Sequence, residues 1–397
     1  MKIWDTIYGK FDAPDFLDSL IMSPEFRRLS EVRLININSA SLSALADVRR
    51  YSHTLGALRL ALENKLPTLG KDEYRAFLAS IIVHDAGTPA FAHLFEYFLM
   101  DRFEWDHEKV LPLLLQGQHH PDAHSHQIFS SQVPQFRKLC IKAKVDFDIV
   151  LSILSGNHPA SKLIFGSVDF DNIDNVARMN WMLGNRFDVG MLLKLASSLG
   201  VASDGSLQLE EALQPSLELW LKLRRDAYQV LVFDGPTVAG QAVLSSAIAE
   251  ALNDHTLSLL DWHYTDHELL RIVRNNSQKA KERLDRDFFG ILPVLQILTQ
   301  VFDASHPIFS MTRAEVALRI EQFLREIKGE RRPYGYSLRD RGTFEKHVKA
   351  TDPSNGKVWG VGIRSDSLVI YGFGSKQPKE TPSANGSEFL KWLERWT

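Results

Sequence analysis

The residues best suited to chemistry in this 397-residue chain are a histidine and an aspartate side by side, His84 and Asp85. They close the apolar run Ile81-Ile82-Val83 and are followed by Gly87, so the spacing predicts a buried helix that ends at the pair. An imidazole and a carboxylate at one helix end can both reach one small ion. His53 precedes them in Arg50-Tyr51-Ser52-His53-Thr54-Leu55-Gly56, and Asp169, Asp171 and Asp174 follow, entering another helix. Two neutral imidazoles and two carboxylates suit a divalent ion such as Mn²⁺, Fe²⁺, Ni²⁺ or Zn²⁺. Four protein ligands leave positions open for water and a phosphoryl oxygen, which is what metal-assisted hydrolysis of a phosphate requires. Each piece also has a plainer reading. A His-Asp pair arises by chance, a lone histidine is often an ordinary partly buried one, and acids at a helix start favour the dipole.

The elements that must position these groups read as helices. Ser23-Pro24-Glu25 is a helix start, with Phe26, Leu29, Val32 and Leu34 predicted on the helix that follows. Met1 to Leu20 reads as irregular and Asn36 to Ala46 as a loop. Helical spacing recurs around Leu58–Leu62, Tyr74–Val83, Ala90–Glu96, Val110–Leu114, Phe147–Leu154, Glu211–Val232, Leu244–Leu252, Asp266–Val273 and Phe288–Phe302. The tract His119 to His126 is a histidine-rich loop able to bind metal adventitiously. From about Gly329 the character changes. Glu330 to Tyr336 reads as a linker, and Val358–Ile363 and Leu368–Phe373 are predicted to pair as a hairpin. A last helix carries Phe389, Trp392, Leu393 and Trp396 on one face. The expectation is a mainly α protein, with a helical body over 1–328 and a small α+β appendix over 329–397.

Composition narrows the function classes. A net charge of −3 disfavours a dedicated DNA-binding protein. Cys140 is the single cysteine, which rules out an internal disulfide or a cysteine-based zinc site and fits a reducing cytoplasm. No apolar run approaches a membrane span, and the N-terminus lacks the form of a signal peptide, so a cytoplasmic location without membrane contact is expected.

Taken together, the histidine, the later His-Asp pair and the distant aspartate resemble the signature of the HD-domain metal-dependent phosphohydrolases. The chain is most similar to their deoxynucleoside triphosphate triphosphohydrolase branch. The stretches that carry the resemblance, over roughly residues 1–280, are Asp5–Gly9, Ser23–Leu29, Arg50–Gly56, the His84-Asp85 turn, Asp169–Asp174 and Arg224–Gln229. It implies an all-α HD helical bundle and one divalent ion (Mn, Fe, Ni, Co, Zn or Mg) on His53, His84, Asp85 and Asp171. Asp171 is favoured over Asp169 and Asp174 because it falls on the family's ligand position, with Asp174 and Arg178 on the supporting ones. The resemblance further implies that His93 contacts phosphate, that His107 is a general acid for the leaving oxygen, and that Glu96 orients it. Arg50 would lie at the nucleotide, and Tyr228 and Gln229 beside its sugar and base. It also implies a homo-oligomer, since related phosphohydrolases often associate.

Departures from the family pattern bear on substrate. Thr88 stands where the family has a further histidine, Asn172 where it has a basic phosphate contact, Asn175 where it has a tyrosine, and Met179 where it has a sugar-binding aspartate. The metal set is kept while the triphosphate and deoxyribose contacts are thinned. The expected activity is hydrolysis of a nucleotide, or another phosphorylated small molecule, other than a plain deoxynucleoside triphosphate. Two alternatives stand beside it. A phosphodiesterase or nuclease on oligonucleotides or cyclic nucleotides draws on Arg27, Arg28, Arg33, Arg49 and Arg50 before the site; a non-catalytic nucleotide-binding protein draws on Thr88 and the missing contacts.

Overall fold

The computed structural model describes residues 1–36, 39–64, 66, 68–118, 134–289, 294–341, 346–375 and 380–394. The histidine-rich tract and Trp396 lie outside the described residues. The protein is mainly helical, with three small sheets among the described residues. Among those residues no helix is long and apolar enough to cross a membrane.

The helices that build the site are α1 (Arg50–Glu63), α2 (Lys71–Val83), α3 (His93–Phe103), α4 (His107–Leu115), α5 (Phe170–Met182), α6 (Gln214–Phe233) and α7 (Gly235–Asn253). The Glu73 carboxylate accepts from the Gly70 N–H at the start of α2, and Asp72 and Glu73 sit at the positive end of its dipole. Every residue from Ala76 to Val83 is buried, so α2 is a central helix, enclosed on all sides rather than amphipathic. It packs against α1, and α1 packs against α5. Asp169 caps α5 by accepting from the Asn172 N–H at 2.7 Å. The three candidate ligand segments are thereby brought to one place.

The N-terminal region is more ordered than its sequence suggests. Strands β1 (Lys2–Asp5) and β2 (Gly9–Asp12) form an antiparallel hairpin. Its turn is held by the Asp5 carboxylate, which accepts from the Ile7 and Tyr8 N–H groups, and by Gly9 at φ +70°. The helix expected through Leu34 is only one turn, Pro24–Arg27, followed by a 3₁₀ turn over Arg28–Glu31. Val32 is then extended, because Arg33 pairs with Arg49 in an isolated bridge and Leu34 donates to the Val48 carbonyl at 2.9 Å.

The C-terminal expectations need correction. Two short strands, β3 (Gly200–Val201) and β4 (Leu207–Gln208), join β7 (Val348–Thr351) and β8 (Val358–Val361) in one sheet, in the order β3-β4-β7-β8. A second sheet runs β5-β9-β6, formed by β5 (Leu295–Asp303), β6 (Tyr334–Arg341) and β9 (Asp366–Gly374). The two segments predicted to pair as a hairpin therefore belong to different sheets: Val358–Val361 pairs with β7, and β9 is a central strand. The cause is burial. Residues Leu368 to Gly374 are buried throughout, so β9 takes partners on both edges. The helical reading of Phe288–Phe302 fails for the same reason, because Leu295–Asp303 is drawn in to pair with β9. The supposed linker supplies β6, with Tyr334 and Tyr336 buried. The layer once expected to start at 329 thus includes a strand that begins at Leu295, along with α8 (Arg313–Glu326) and α9 (Pro382–Leu393). Its seam with the body is polar as well as apolar: the Tyr371 hydroxyl donates to the Val232 carbonyl at the end of α6, at 2.6 Å.

Candidate metal centre

His53 lies in the first turn of α1, His84 and Asp85 directly follow α2, and Asp171 lies in the first turn of α5. One ligand atom from each comes within 4.8 Å of all the others. Asp171 Oδ1 is 2.7 Å from His53 Nε2 and 3.1 Å from His84 Nε2, and Asp85 Oδ2 is 3.7 Å from His84 Nε2. The four residues named from the sequence are brought together.

The groups behind them fix which atoms face inward. His84 Nδ1 donates to the Ile81 carbonyl at 2.8 Å, since a carbonyl can only accept, and this turns Nε2 towards Asp171. His53 Nδ1 contacts Asp174 Oδ2 at 2.8 Å. Arg178 clamps the same Asp174 carboxylate with two bonds of 2.9 Å and donates to Asp5 Oδ2 at 2.8 Å. Asp5, on the hairpin, is a supporting residue that the sequence did not assign; its place in Asp5–Gly9 was the available signal. On Asp85, Oδ1 accepts from Arg50 Nη1 at 2.6 Å and from the Thr88 hydroxyl at 3.1 Å. Asp85 Oδ2 is buried and has no hydrogen-bond partner among the described residues.

That orphaned oxygen, two imidazole nitrogens and a carboxylate converge on one point, and the set fits a divalent cation. Without one, His53 stands between two carboxylates. Burial opposes its charge, but hydrogen bonds to Asp171 and Asp174 outweigh this and push it up to about 10. Burial likewise works against ionised Asp85 and Asp171. Arg50 and His84 hold Asp85 far below the usual carboxylate range, and the two histidines do the same for Asp171.

Thr88 is fully buried and restrains Asp85 rather than adding a ligand. Gly56 has a role that sequence alone could not show. A Cβ there would collide with the Asp174 carboxylate and the Arg178 guanidinium, the two groups that hold His53. Gly56→Ala is expected to lower ion affinity roughly 10- to 100-fold, as loss of a supporting partner does. Ion titration of the purified variant would check this; unchanged affinity would show that the clamp is dispensable.

A second group lies beside the first. Glu96 accepts from His93 Nδ1 at 2.7 Å through one oxygen and contacts His107 Nδ1 through the other, which also accepts the His107 N–H at 3.1 Å. Burial disfavours charge on His107, but the Glu96 carboxylate overcomes it and pushes the imidazole up to about 9. The His93 side chain is half-exposed.

Both groups open onto a cavity of about 410 Å³. Arg50 and Tyr228 line it. Asp174 and Arg178 do not; they are buried behind His53 and belong to its support, not to a substrate surface. Gln229 is exposed and lies off the cavity, because it falls on the outer face of α6 one residue beyond Tyr228. Asn36, Gln241, Tyr336 and Leu338 line the cavity although the sequence did not mark them. The signal for Tyr336 was present as aromatic alternation in Tyr334-Gly335-Tyr336, hidden by its resemblance to a linker.

No protein-family model matches the chain. No curated protein matches it either. Among solved structures it is similar to the crystal structure of a phosphohydrolase from Bacteroides thetaiotaomicron, with a TM-score of 0.61 and 18% identity. That match covers 95% of this chain and 100% of the other. At this identity the likeness is one of fold.

Proposed function

We propose that this chain is an HD-type metal-dependent phosphohydrolase that acts on a nucleotide other than a plain deoxynucleoside triphosphate. The observation that carries the reading is the convergence of His53, His84 and Asp171 with an Asp85 Oδ2 that has no hydrogen-bond partner among the described residues. The name of the solved protein that shares the fold supports it at the level of reaction class. A divalent ion held there supplies Lewis-acid activation of a phosphoryl oxygen and of water. His107, with Nδ1 committed to Glu96, is the proton donor to the leaving oxygen, and its position near 9 keeps it protonated at neutral pH. His93, on the other oxygen of Glu96, faces the phosphate.

The charge of the cavity supports a substrate with few phosphates. Arg50 is the one Arg or Lys among its described lining residues, and it is committed to Asp85 and the Leu34 carbonyl. Glu108 adds negative charge to the same wall. The arginine cluster that favoured an oligonucleotide is partly taken up inside the protein. Arg28 is buried and donates to the Ala86, Thr88, His263 and Tyr264 carbonyls. A purely binding role has no use for the His93–Glu96–His107 arrangement.

Chelation followed by Mn²⁺, Co²⁺ or Ni²⁺ replacement tests the reading. Phosphate release from a nucleotide panel is expected to vanish on ion removal and return on addition, with a rise in thermal midpoint on reloading. Turnover that persists in chelator, or no release from any phosphorylated substrate, would sink it.

A further inference from the structure

The cavity has two kinds of lining. Besides the candidate ligands and the paired histidines it carries Leu231, Val232, Tyr336 and Leu338, with Gln241 among them. Gln241 is held in one orientation. Its Nε2 donates to the Asn36 carbonyl at 3.0 Å, so its Oε1 accepts, and the Tyr336 hydroxyl donates to it at 2.7 Å. The chain of donors therefore runs one way, from Tyr336 to Gln241 to the backbone. Among the described residues the phenolic oxygen of Tyr336 keeps its lone pairs, and the second N–H of the Gln241 amide is left over. An acceptor and a donor thus lie side by side in a cavity that Leu231, Val232 and Leu338 also line. The Tyr336 ring also closes off a second cavity, of about 540 Å³, but its hydroxyl is turned to Gln241, which lines the first of the two and not the second.

We infer that Gln241 and Tyr336 form the specificity site of this cavity, reading the hydrogen-bonding edge of a planar heterocyclic base while the candidate metal centre holds the phosphate. The inference rests on the phosphohydrolase reading above. Paired polar groups in an apolar pocket discriminate strongly, because a ligand lacking the matching edge leaves them buried without partners. The dyad spans two parts of the fold: Gln241 comes from α7 and Tyr336 from β6. The C-terminal sheet is thereby a wall of the substrate cavity as well as a support for the body.

The test uses the full chain, loaded with Mn²⁺, and unphosphorylated nucleosides of each common base, binding being measured by calorimetry. The wild-type protein is expected to bind its best nucleoside at least about tenfold more tightly than its worst, a difference near 1.4 kcal/mol. Tyr336→Phe and Gln241→Leu, made separately so that either folded variant suffices, are expected to weaken the best nucleoside about tenfold and to narrow that spread. Inhibition by ribose 5-phosphate, which has no base, should not move. Equal binding of all bases, no nucleoside binding, or unchanged discrimination in a folded variant would overturn the inference. Phosphate release from ribose 5-phosphate or a simple aryl phosphate reports separately on the hydrolase reading.

Discussion

Asp171→Asn is expected to abolish stoichiometric ion binding and to lower turnover by roughly 10³-fold or more, as loss of several kcal/mol of charge stabilisation requires. The carboxylate oxygen Oδ1 lies within 3.1 Å of both imidazole Nε2 atoms, so this one residue ties the two histidines of the candidate ligand set together. An amide in its place removes a negative charge and turns an N–H towards the two nitrogens, which fills the site instead of opening it. Asp174→Asn is the matched control: it alters the support of His53 and leaves all four ligands, so a loss of roughly 10- to 100-fold is expected. Ion analysis after gel filtration, with kcat for both variants, checks the contrast. If Asp171→Asn keeps its ion and its activity, the centre lies elsewhere. A pH signature accompanies the comparison. Without an ion His53 is held protonated up to about 10, so an incoming cation must displace that proton. Affinity should therefore rise with pH through neutrality in the wild-type chain, and rise less in Asp174→Asn, where one of the two carboxylates holding the proton is gone.

The candidate ligands were legible because metal chemistry restricts residue type and because each sits at a helix end or in a first turn, although only the family resemblance singled out Asp171 among the acids entering its helix. Periodicity marks such places, as with His84 after Ile81-Ile82-Val83. The support was less legible. Asp174 and Arg178 carry a recognisable spacing on α5, but their facing partner Asp5 is far off in sequence, and its place in the stretch Asp5–Gly9 was the sole cue. Gly56 looks like any helical glycine until the approach of Asp174 is known. Gln229 and Gln241 show the limit most plainly. Both are glutamines on neighbouring helices, and only tertiary packing decides that the first faces solvent and the second the cavity. The strands were misjudged where burial overrode local pattern. Leu295–Asp303 has apolar residues compatible with a helix, and β9, buried along its length, needed a second edge partner.

Glu96→Gln should shift the alkaline limit of activity downward and lower the maximal rate roughly 10²- to 10⁴-fold, the range for loss of a positioned acid. In the wild-type chain Glu96 is held far below the usual carboxylate range: its burial opposes ionisation, but His107 and His93 more than compensate. The ionised carboxylate in turn pushes His107 up to about 9. The protonated His107, the proposed donor, is thus present below about 9 and is lost as pH rises through that value. With glutamine the carboxylate is gone and the burial of His107 is unopposed, so the imidazole becomes neutral at or below its ordinary range and the acid form disappears by neutral pH. The same sign governs stability. Because the folded-state value of His107 is raised, its contribution is fully present below the ordinary histidine value and is lost as pH climbs through about 9. The wild-type thermal midpoint should therefore decline between neutral pH and pH about 9 more steeply than that of Glu96→Gln. A kcat–pH profile from about pH 5 to 10 on one nucleotide, with ion occupancy held constant, separates the roles. A lowered alkaline limb with full ion content identifies Glu96 as the group that keeps His107 charged, since a fault in packing alone would reduce kcat equally at every pH. An unchanged limb in a fully loaded variant would remove His107 from the role of proton donor.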